Sequence, residues 1–128
     1  MLTTHEISFR VRYQETDGQG VVHHANYLTW LELGRVELLR AAGHSYRELE
    51  EHGIFLVVAE ANIRYYLPAR FDDLLRLVTT AVRAKGARIE HRYGLFRGAE
   101  LLAEATTTIA CIDQTGRVSR LPEWLRMG

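Results

Sequence analysis

The stretch that decides the fold runs from Tyr13 to Arg40 and reads YQETDGQGVVHHANYLTWLELGRVELLR. Within it, Gln14–Gly20 holds two glycines and an aspartate and no apolar residue, which indicates a loop. From Ala25 to Ala42 apolar residues recur at steps of three and four, which predicts a long helix that stops at Gly43. The predicted apolar stripe consists of Tyr27, Leu31, Gly34, Leu38 and Ala41, widened by Leu28, Val36 and Leu39. The side chains expected off this stripe are Glu32, Arg35, Glu37 and Arg40.

Strand patterns flank this helix on both sides. Before it, Glu6–Tyr13 alternates between polar and apolar residues, as a half-buried strand does. After it, Ser45 and Glu48 form the capping box of a short helix that ends at Gly53. Four segments rich in β-branched and aromatic residues then predict the strands Ile54–Tyr66, Leu74–Arg83, Arg88–Phe96 and Leu101–Ile112. Because tight turns join the last three, an antiparallel sheet is expected.

This order of elements restricts the fold. A single sheet must bury one face, and only one long helix is available to cover it. The sequence therefore predicts an α+β fold, in which a curved antiparallel five-stranded sheet wraps around one long central helix. This arrangement is the hotdog fold. The chain has 128 residues, which is the size of one domain, and we expect that domain to span residues 1–128.

Composition argues against several classes of protein. Sixteen basic and sixteen acidic residues give a formal net charge of zero, whereas a protein that binds nucleic acid usually carries a basic excess on one face. The amino-terminal segment MLTTHEISFRVRY alternates polar and apolar residues, so neither a signal peptide nor a membrane span is expected. Cys111 is the only cysteine. A single thiol is typical of a reducing compartment, and we expect a cytoplasmic protein.

Asp17 is the candidate catalytic carboxylate. It lies in a glycine-flanked loop before the long helix, whose first turn presents unpaired N–H groups and partial positive charge. Gly18 and Gly20 allow a substrate carbonyl to approach those groups closely. A carboxylate beside an oxyanion donor is the arrangement that acyl transfer requires. The alternative is that Asp17 only caps the helix, although a helix that begins near His24 or Ala25 starts too far along the chain for that role.

Other kinds of catalytic centre find little support. His23 and His24 are adjacent and do not share a helix face, and no further ligand follows at helical spacing, so no metal site is expected. The chain lacks the G-x-S-x-G turn of a serine hydrolase. Cys111 falls on the same strand face as Ile109, which favours a core position over a nucleophilic one.

The segment from Asp17 to Tyr27 closely resembles the 4-hydroxybenzoyl-CoA thioesterase family, including the bacterial acyl-CoA thioesterases grouped with it. The family pattern is an aspartate, a glycine, an aromatic or histidine pair and then x-N-Y. The matching positions are Asp17, Gly20, His23, His24, Asn26 and Tyr27. A turn with paired acids, within Ala69–Leu75, looks like a second feature of the family.

The resemblance implies a hotdog fold, assembly into oligomers and hydrolysis of coenzyme A thioesters. It carries the catalytic aspartate over to Asp17, and it carries the oxyanion donor, a backbone N–H, over to His24. The expected substrate-binding residues in the same segment are Gly20, Asn26 and Tyr27. No separate cofactor is implied, because coenzyme A is part of the acyl-CoA substrate. Some members use a helix glutamate instead of the loop aspartate, and Glu32 and Glu37 stand on the helix here.

Coenzyme A carries phosphates, so basic side chains are expected at the mouth of the site. Arg83, Lys85 and Arg88 cluster around one predicted hairpin turn and are the candidates. The alternative is that they are ordinary surface charges at a solvated turn. Arg64 and Arg70 are the next candidates.

The sequence leaves three functions open. The first is thioester hydrolysis, in which Asp17 either attacks the carbonyl or activates water. The second is hydration or dehydration of an acyl thioester, whose known pattern spaces aspartate and histidine more closely than Asp17 and His23 are spaced. The third is a non-catalytic module that binds acyl-CoA. The sequence does not identify the acyl group.

Apolar residues on both faces of the strands predict self-association. On the third predicted strand, Leu75, Leu77 and Ala81 alternate with Leu74, Val78 and Val82. One helix can cover only one of these faces, so we expect at least a homodimer and favour a homotetramer.

Overall fold

Five strands and one long helix make up most of the computed structural model, which describes residues 3–127. The elements are β1 Thr4–Arg10, α1 Ala25–Ala41, α2 Tyr46–Glu51, β2 Phe55–Tyr65, β3 Leu74–Lys85, β4 Arg88–Arg97 and β5 Glu100–Ile112. Short 3-10 turns cover Tyr13–Glu15 and Glu123–Leu125. The predicted helices and strands are confirmed within one to three residues at each end. The largest difference is in β1, which ends at Arg10 because the chain turns at Tyr13–Glu15.

All strand pairs are antiparallel, in the order β1-β3-β4-β5-β2. The strands β3, β4 and β5 follow one another through tight turns at Gly86 and Gly98, whose φ angles of 64° and 59° suit glycine. The strands β1 and β2 form the two edges, and α1 packs across one face. The predicted α+β architecture, one curved antiparallel sheet around one central helix, is confirmed.

The helix α1 buries a stripe that differs in part from the predicted one. Its buried residues are Tyr27, Trp30, Leu31, Gly34, Arg35, Leu38 and Leu39. The prediction was wrong for Leu28 and Ala41, which are exposed, and for Arg35, which is buried. Arg35 lies four residues after Leu31 and therefore continues the buried face, whatever its charge. At Gly34 the helix approaches β3 so closely that a Cβ would overlap the hydroxyl of Thr79.

The side chains beneath α1 form two apolar clusters with a polar layer between them. The cluster near the start of α1 includes Tyr27, Trp30, Leu77, Tyr93 and Ala105. The cluster near its end includes Leu39, Leu49, Ile89, Ile109 and Cys111. Cys111 is fully buried, which confirms the predicted core position. The buried residues at the intermediate positions of the same helix and strands are Arg35, Thr79, His91 and Thr107. We call these four residues the polar layer.

Much of β2 and of the outer sheet face is uncovered in a single chain. On the edge strand β2, Val57 and Val58 are 41% and 51% exposed. On the outer face of β3, Leu74 and Val82 are 54% and 46% exposed, whereas Leu75 on the inner face is fully buried. The predicted pair of apolar faces on β3 is therefore present. Within residues 3–127, no helix has the length and apolar character needed to cross a membrane.

Candidate active site

The loop that carries Asp17 is closed by its own backbone. The N–H of Asp17 donates to the carbonyl of Val21 at 2.9 Å, and the N–H of Gly20 donates back to the carbonyl of Asp17 at 3.2 Å. Thr16 and Val22 pair across the base of the turn. Gly20 has a φ of 81°, a conformation that glycine adopts without strain. The loop is thus a narrow turn directly before α1.

The carboxylate of Asp17 is held in this turn by one of its two oxygens. Oδ1 accepts hydrogen bonds from the N–H groups of Gln19 at 2.8 Å and of Val21 at 3.3 Å. Oδ2 takes part in no hydrogen bond within residues 3–127, and the side chain is exposed. Asp17 therefore caps its own turn and not α1, whose N-cap is His24. The alternative role of Asp17 as the cap of the long helix is wrong.

The first turn of α1 leaves one N–H group available. The N–H of His23 donates to the carbonyl of Glu15 at 2.9 Å, and the N–H of Ala25 donates to Nδ1 of His23 at 3.2 Å. In the part of the chain that the structure describes, the N–H of His24 between them makes no hydrogen bond. The two imidazole rings stack with their centroids 4.4 Å apart. The predicted oxyanion donor is thus an unpaired N–H at a helix start, where partial positive charge accumulates.

The structure gives Asn26 and Tyr27 roles in the framework of the site. The Nδ2 group of Asn26 donates to the carbonyls of Glu15 at 2.9 Å and of His23 at 3.3 Å. Tyr27 is buried, and its hydroxyl accepts a hydrogen bond from the N–H of Ala69 at 3.4 Å. Burial raises the pKa of Tyr27 above its ordinary value. Both residues connect the start of α1 to neighbouring segments, and their predicted contact with substrate stays a prediction.

Glu15 is the residue of this region that the sequence analysis missed. The residue is only 3% exposed. Oε1 accepts from the N–H of Arg12 at 2.7 Å, and Oε2 accepts from the indole N–H of Trp30 at 2.8 Å. Burial by itself would raise the pKa of Glu15, but these hydrogen bonds bring it below its ordinary value. Since its carbonyl also binds His23 and Asn26, Glu15 joins the Asp17 loop to α1.

Replacing Glu15 with glutamine should lower kcat by roughly 10-fold with little change in KM, because the Asp17 loop is then no longer held in a fixed position relative to the start of α1. The amide NH₂ would face an N–H donor where an oxygen now accepts, which should also cost about 1–3 kcal/mol of unfolding free energy. Denaturant unfolding, followed by tryptophan fluorescence, and steady-state kinetics measure the two effects. The matched control is Glu50→Gln on the exposed side of α2. Wild-type kcat and stability in Glu15→Gln would contradict the positioning role.

A pocket of about 300 Å³ opens beside the start of α1. It is lined by Val21, Val22, His24, Tyr27, Tyr65, Tyr66, Leu67 and Pro68. The connection between β2 and β3 borders the Asp17 loop directly, since the N–H of Phe71 donates to the carbonyl of Gly20 at 3.1 Å and Val21 pairs with Arg70. The loop, the helix start and this connection therefore form one surface region, with Arg70 at its edge.

The predicted phosphate-binding residues lie elsewhere in the chain. Arg83, Lys85 and Arg88 are exposed and, with Glu90, line a separate pocket of about 210 Å³. The connection that borders the Asp17 loop leads into β3 at Leu74. Arg83 stands nine positions farther along this strand, which corresponds to roughly 30 Å at about 3.3 Å per residue. A single chain does not bring this cluster to the Asp17 loop. Of the next candidates, Arg64 lines a pocket with Arg92 and Glu104, both on the outer sheet face, and Arg70 borders the loop.

The residues described by the structure contain no group of three or more histidine, cysteine, aspartate or glutamate side chains placed to hold a metal ion. The groups described above are a carboxylate, that of Asp17, and a backbone N–H at the start of a helix, that of His24.

Known thioesterases resemble this chain over most of its length. Acyl-CoA thioesterase YbgC of Haemophilus influenzae is 40% identical over 105 residues, which are 81% of this chain and 77% of that protein. The 1,4-dihydroxy-2-naphthoyl-CoA thioesterase of Synechocystis superposes with a TM-score of 0.86 at 27% identity, covering 94% of this chain and 90% of that one. The DHNA-CoA thioesterase of Staphylococcus aureus superposes with a TM-score of 0.90 at 28% identity, covering 95% and 83%. The Thioesterase-like superfamily matches residues 11–127, and the chain belongs to this family.

Proposed function

We propose that this thioester hydrolase cleaves acyl-CoA with Asp17 as its catalytic carboxylate and the backbone N–H of His24 as its oxyanion donor. The observation that carries the proposal is that two polar groups near the start of α1 are left unused. Oδ2 of Asp17 and the N–H of His24 are both without a hydrogen bond among residues 3–127, on either side of the same short loop. Glu15 fixes the end of that loop to α1 through His23 and Trp30.

In the proposed reaction, the thioester carbonyl oxygen accepts a hydrogen bond from the N–H of His24, which stabilises the negative charge that develops on it. Oδ2 of Asp17 then either attacks the carbonyl carbon or takes a proton from the attacking water. The C–S bond breaks in both routes, and coenzyme A leaves as its thiolate. Only the first route forms an acyl-aspartyl anhydride, which water then cleaves to the free acid and the carboxylate of Asp17. Rapid quenching followed by mass spectrometry of the Asp17 peptide would distinguish them.

The release of free thiol tests the proposed reaction. Benzoyl-CoA and a medium-chain acyl-CoA should each be tested with a thiol reagent, since hydrolysis produces the free thiol of coenzyme A. Hydration of an acyl thioester leaves the C–S bond intact, and a binding module releases nothing. Absence of thiol release from a panel of aromatic and aliphatic acyl-CoAs would overturn the proposal.

We propose that Arg83, Lys85 and Arg88 bind the phosphates of coenzyme A, in a site completed by a neighbouring subunit. Replacing all three with alanine should raise KM by roughly 10-fold or more and change kcat little, and the effect should weaken at high salt. Initial rates against acyl-CoA concentration at two ionic strengths measure this. Arg47→Ala on α2 serves as the control for loss of an exposed arginine. An unchanged KM, together with a raised KM in Arg70→Ala, would transfer the phosphate site to Arg70.

We propose that the protein forms a homodimer or a homotetramer, with the tetramer favoured. The exposed apolar side chains of β2 and of the outer face of β3 support this, as does the separation of the basic cluster from Asp17 within one chain. Sedimentation at micromolar concentration should show no stable monomer, and Val58→Asp should dissociate the assembly if β2 is part of the interface. A monomeric wild-type protein with full activity would contradict the proposal.

We further propose that residues 1–128 act as a single domain in the cytoplasm and need no cofactor beyond the coenzyme A of the substrate. The buried free thiol of Cys111 is consistent with a reducing compartment. Activity that survives dialysis against a chelator would support the absence of a metal requirement, and cell fractionation tests the location.

A further inference from the structure

Arg35 carries a buried guanidinium, and the hydroxyls of Tyr93 and Tyr46 interact with it. Arg35 as a whole is only 6% exposed. Nη1 donates to the hydroxyl of Tyr93 at 3.1 Å, and that hydroxyl lies 2.6 Å from Oγ1 of Thr107. No carboxylate oxygen of residues 3–127 lies within 4.0 Å of Arg35. A buried cation is normally paired, because leaving it without a counter-charge is strongly unfavourable.

Two other atoms of the polar layer also lack hydrogen-bond partners among residues 3–127. Within the described chain, the buried atoms with no hydrogen bond are Nε of Arg35, Oγ1 of Thr79 and Nδ1 of His91. Thr79 and His91 belong to the polar layer beneath α1, and both are more than nine-tenths buried. Three unsatisfied buried polar atoms in one layer are unusual, since such groups normally find a protein or solvent partner.

A small cavity adjoins this layer. Its volume is about 30 Å³, and Arg35, His91 and Tyr46 line it together with apolar side chains from α1, β2 and β3. A water molecule needs roughly 10–15 Å³ of such space, so the cavity has room for one small ion or for one or two waters. This enclosed volume alone is too small for a phosphate ester or an acyl chain. Tyr46 and Leu56 on its wall are partly exposed, which marks its side towards solvent.

The cavity is separate from the proposed catalytic site. Arg35 lies eleven residues after His24 on α1, which is roughly 16 Å along the helix axis. The apolar cluster that contains Tyr27 and Trp30 packs beneath the start of α1, whereas the cavity is lined by Leu38, Leu39 and Ala42 at its end. An occupant of the cavity therefore does not contact the proposed catalytic groups.

We propose that this cavity binds a small singly charged anion, a halide or a carboxylate of formate size, as the counter-ion of Arg35. An anion satisfies the guanidinium charge, which water does not neutralise, and it can also accept the hydrogen bond of the unpartnered Nε–H. A cation is excluded by the charge of Arg35. The site is a structural anion site within the core, and the assignment does not depend on the identity of the acyl-CoA substrate.

Anion-dependent thermal stability is the first test. At equal ionic strength, sodium chloride, bromide or formate should raise the Tm of the protein by roughly 4 °C or more relative to sodium gluconate, whose anion is too large for the cavity. Arg35→Gln should abolish the difference between the anions, while Arg47→Gln on the surface should retain it. Halide-dependent and formate-dependent shifts measured separately show which anion class the cavity accepts. Equal Tm values in all four salts would overturn the proposal.

Bromide diffraction is the second test and does not depend on a variant that folds. In crystals grown from bromide, an anomalous peak is expected within hydrogen-bond distance of the Arg35 guanidinium. A cavity that holds only water, or a carboxylate side chain of a partner subunit seated against Arg35, would overturn the proposal. Because hydrolytic activity is not a readout in either test, their failure would leave the assignment of Asp17 untouched.

Discussion

The variant Asp17→Asn should show a kcat at least roughly 10²-fold below that of the wild-type enzyme, with KM changed little. Asparagine retains an oxygen that can accept the hydrogen bonds of Gln19 and Val21, so the turn stays closed. It loses the negative charge that serves as nucleophile or general base. The loss of rate should therefore arise from the chemistry and not from the fold. Steady-state kinetics with one hydrolysed acyl-CoA, together with the Tm of each protein, measure this.

Asp113 provides a matched control for that substitution. Its Oδ1 accepts from the N–H groups of Thr115 and Arg117 at 2.8 and 3.1 Å, in the same kind of turn as Asp17. Asp113→Asn should cost similar stability and leave kcat at the wild-type level. If a folded Asp17→Asn protein also kept near-normal turnover, the catalytic assignment would be wrong. Glu32 and Glu37 on α1 would then be tested in its place.

Acid should destabilise the protein through His91, over a pH range in which most carboxylates are still ionised. Burial, and then the nearby charge of Arg35, lowers the pKa of His91 to about 3, from an ordinary value of 6.5. The unfolded chain therefore binds a proton at this position between these values, and the native protein does not. The contribution of His91 to the free energy of unfolding is fully present above about pH 6.5. Below that pH it decreases by up to about 1.4 kcal/mol per pH unit.

Urea unfolding at pH 7 and pH 5 measures this effect. His91→Asn should reduce the loss of stability between the two pH values, while His52→Asn on the surface should not. The groups that face His91 are Arg35 from α1, Tyr46 from α2 and Tyr93 from its own strand. The lowered pKa of Glu15 contributes only below its ordinary value of 4.5, so it does not affect this interval. An equal loss in the wild type and in His91→Asn would contradict the role of His91.

The elements of the fold could be predicted because each has a clear period. The alternation of β3 placed Leu75 and Leu77 on one face and Leu74 on the other, and burial follows that division. The three- and four-residue spacing of apolar residues in α1, with the glycine after it, predicted the end of the helix within one residue. The position of Asp17 before the helix could be predicted as well, because glycines and a polar run mark the loop.

The polar interior could not be predicted from the same patterns. Arg35 and Glu15 are both charged, and a rule based on polarity places them in solvent. Their burial depends on partners far along the chain, Tyr93 for Arg35 and Trp30 for Glu15. The sequence pattern also gives no sign of the register shifts in the sheet, such as the one between Val58 and Glu60. A bulge changes which side chains face inward without any sign in the alternation.

The uncovered apolar side chains of β2 connect the proposed self-association to protein concentration. If a second chain covers Val57 and Val58, dilution below the dissociation constant returns each protomer to a state with an open strand edge. Specific activity would then fall with dilution and recover on concentration, with the delay of a bimolecular step. Prolonged dilution would instead expose that edge to pairing with any other chain, so irreversible loss would depend on storage concentration as well as on temperature.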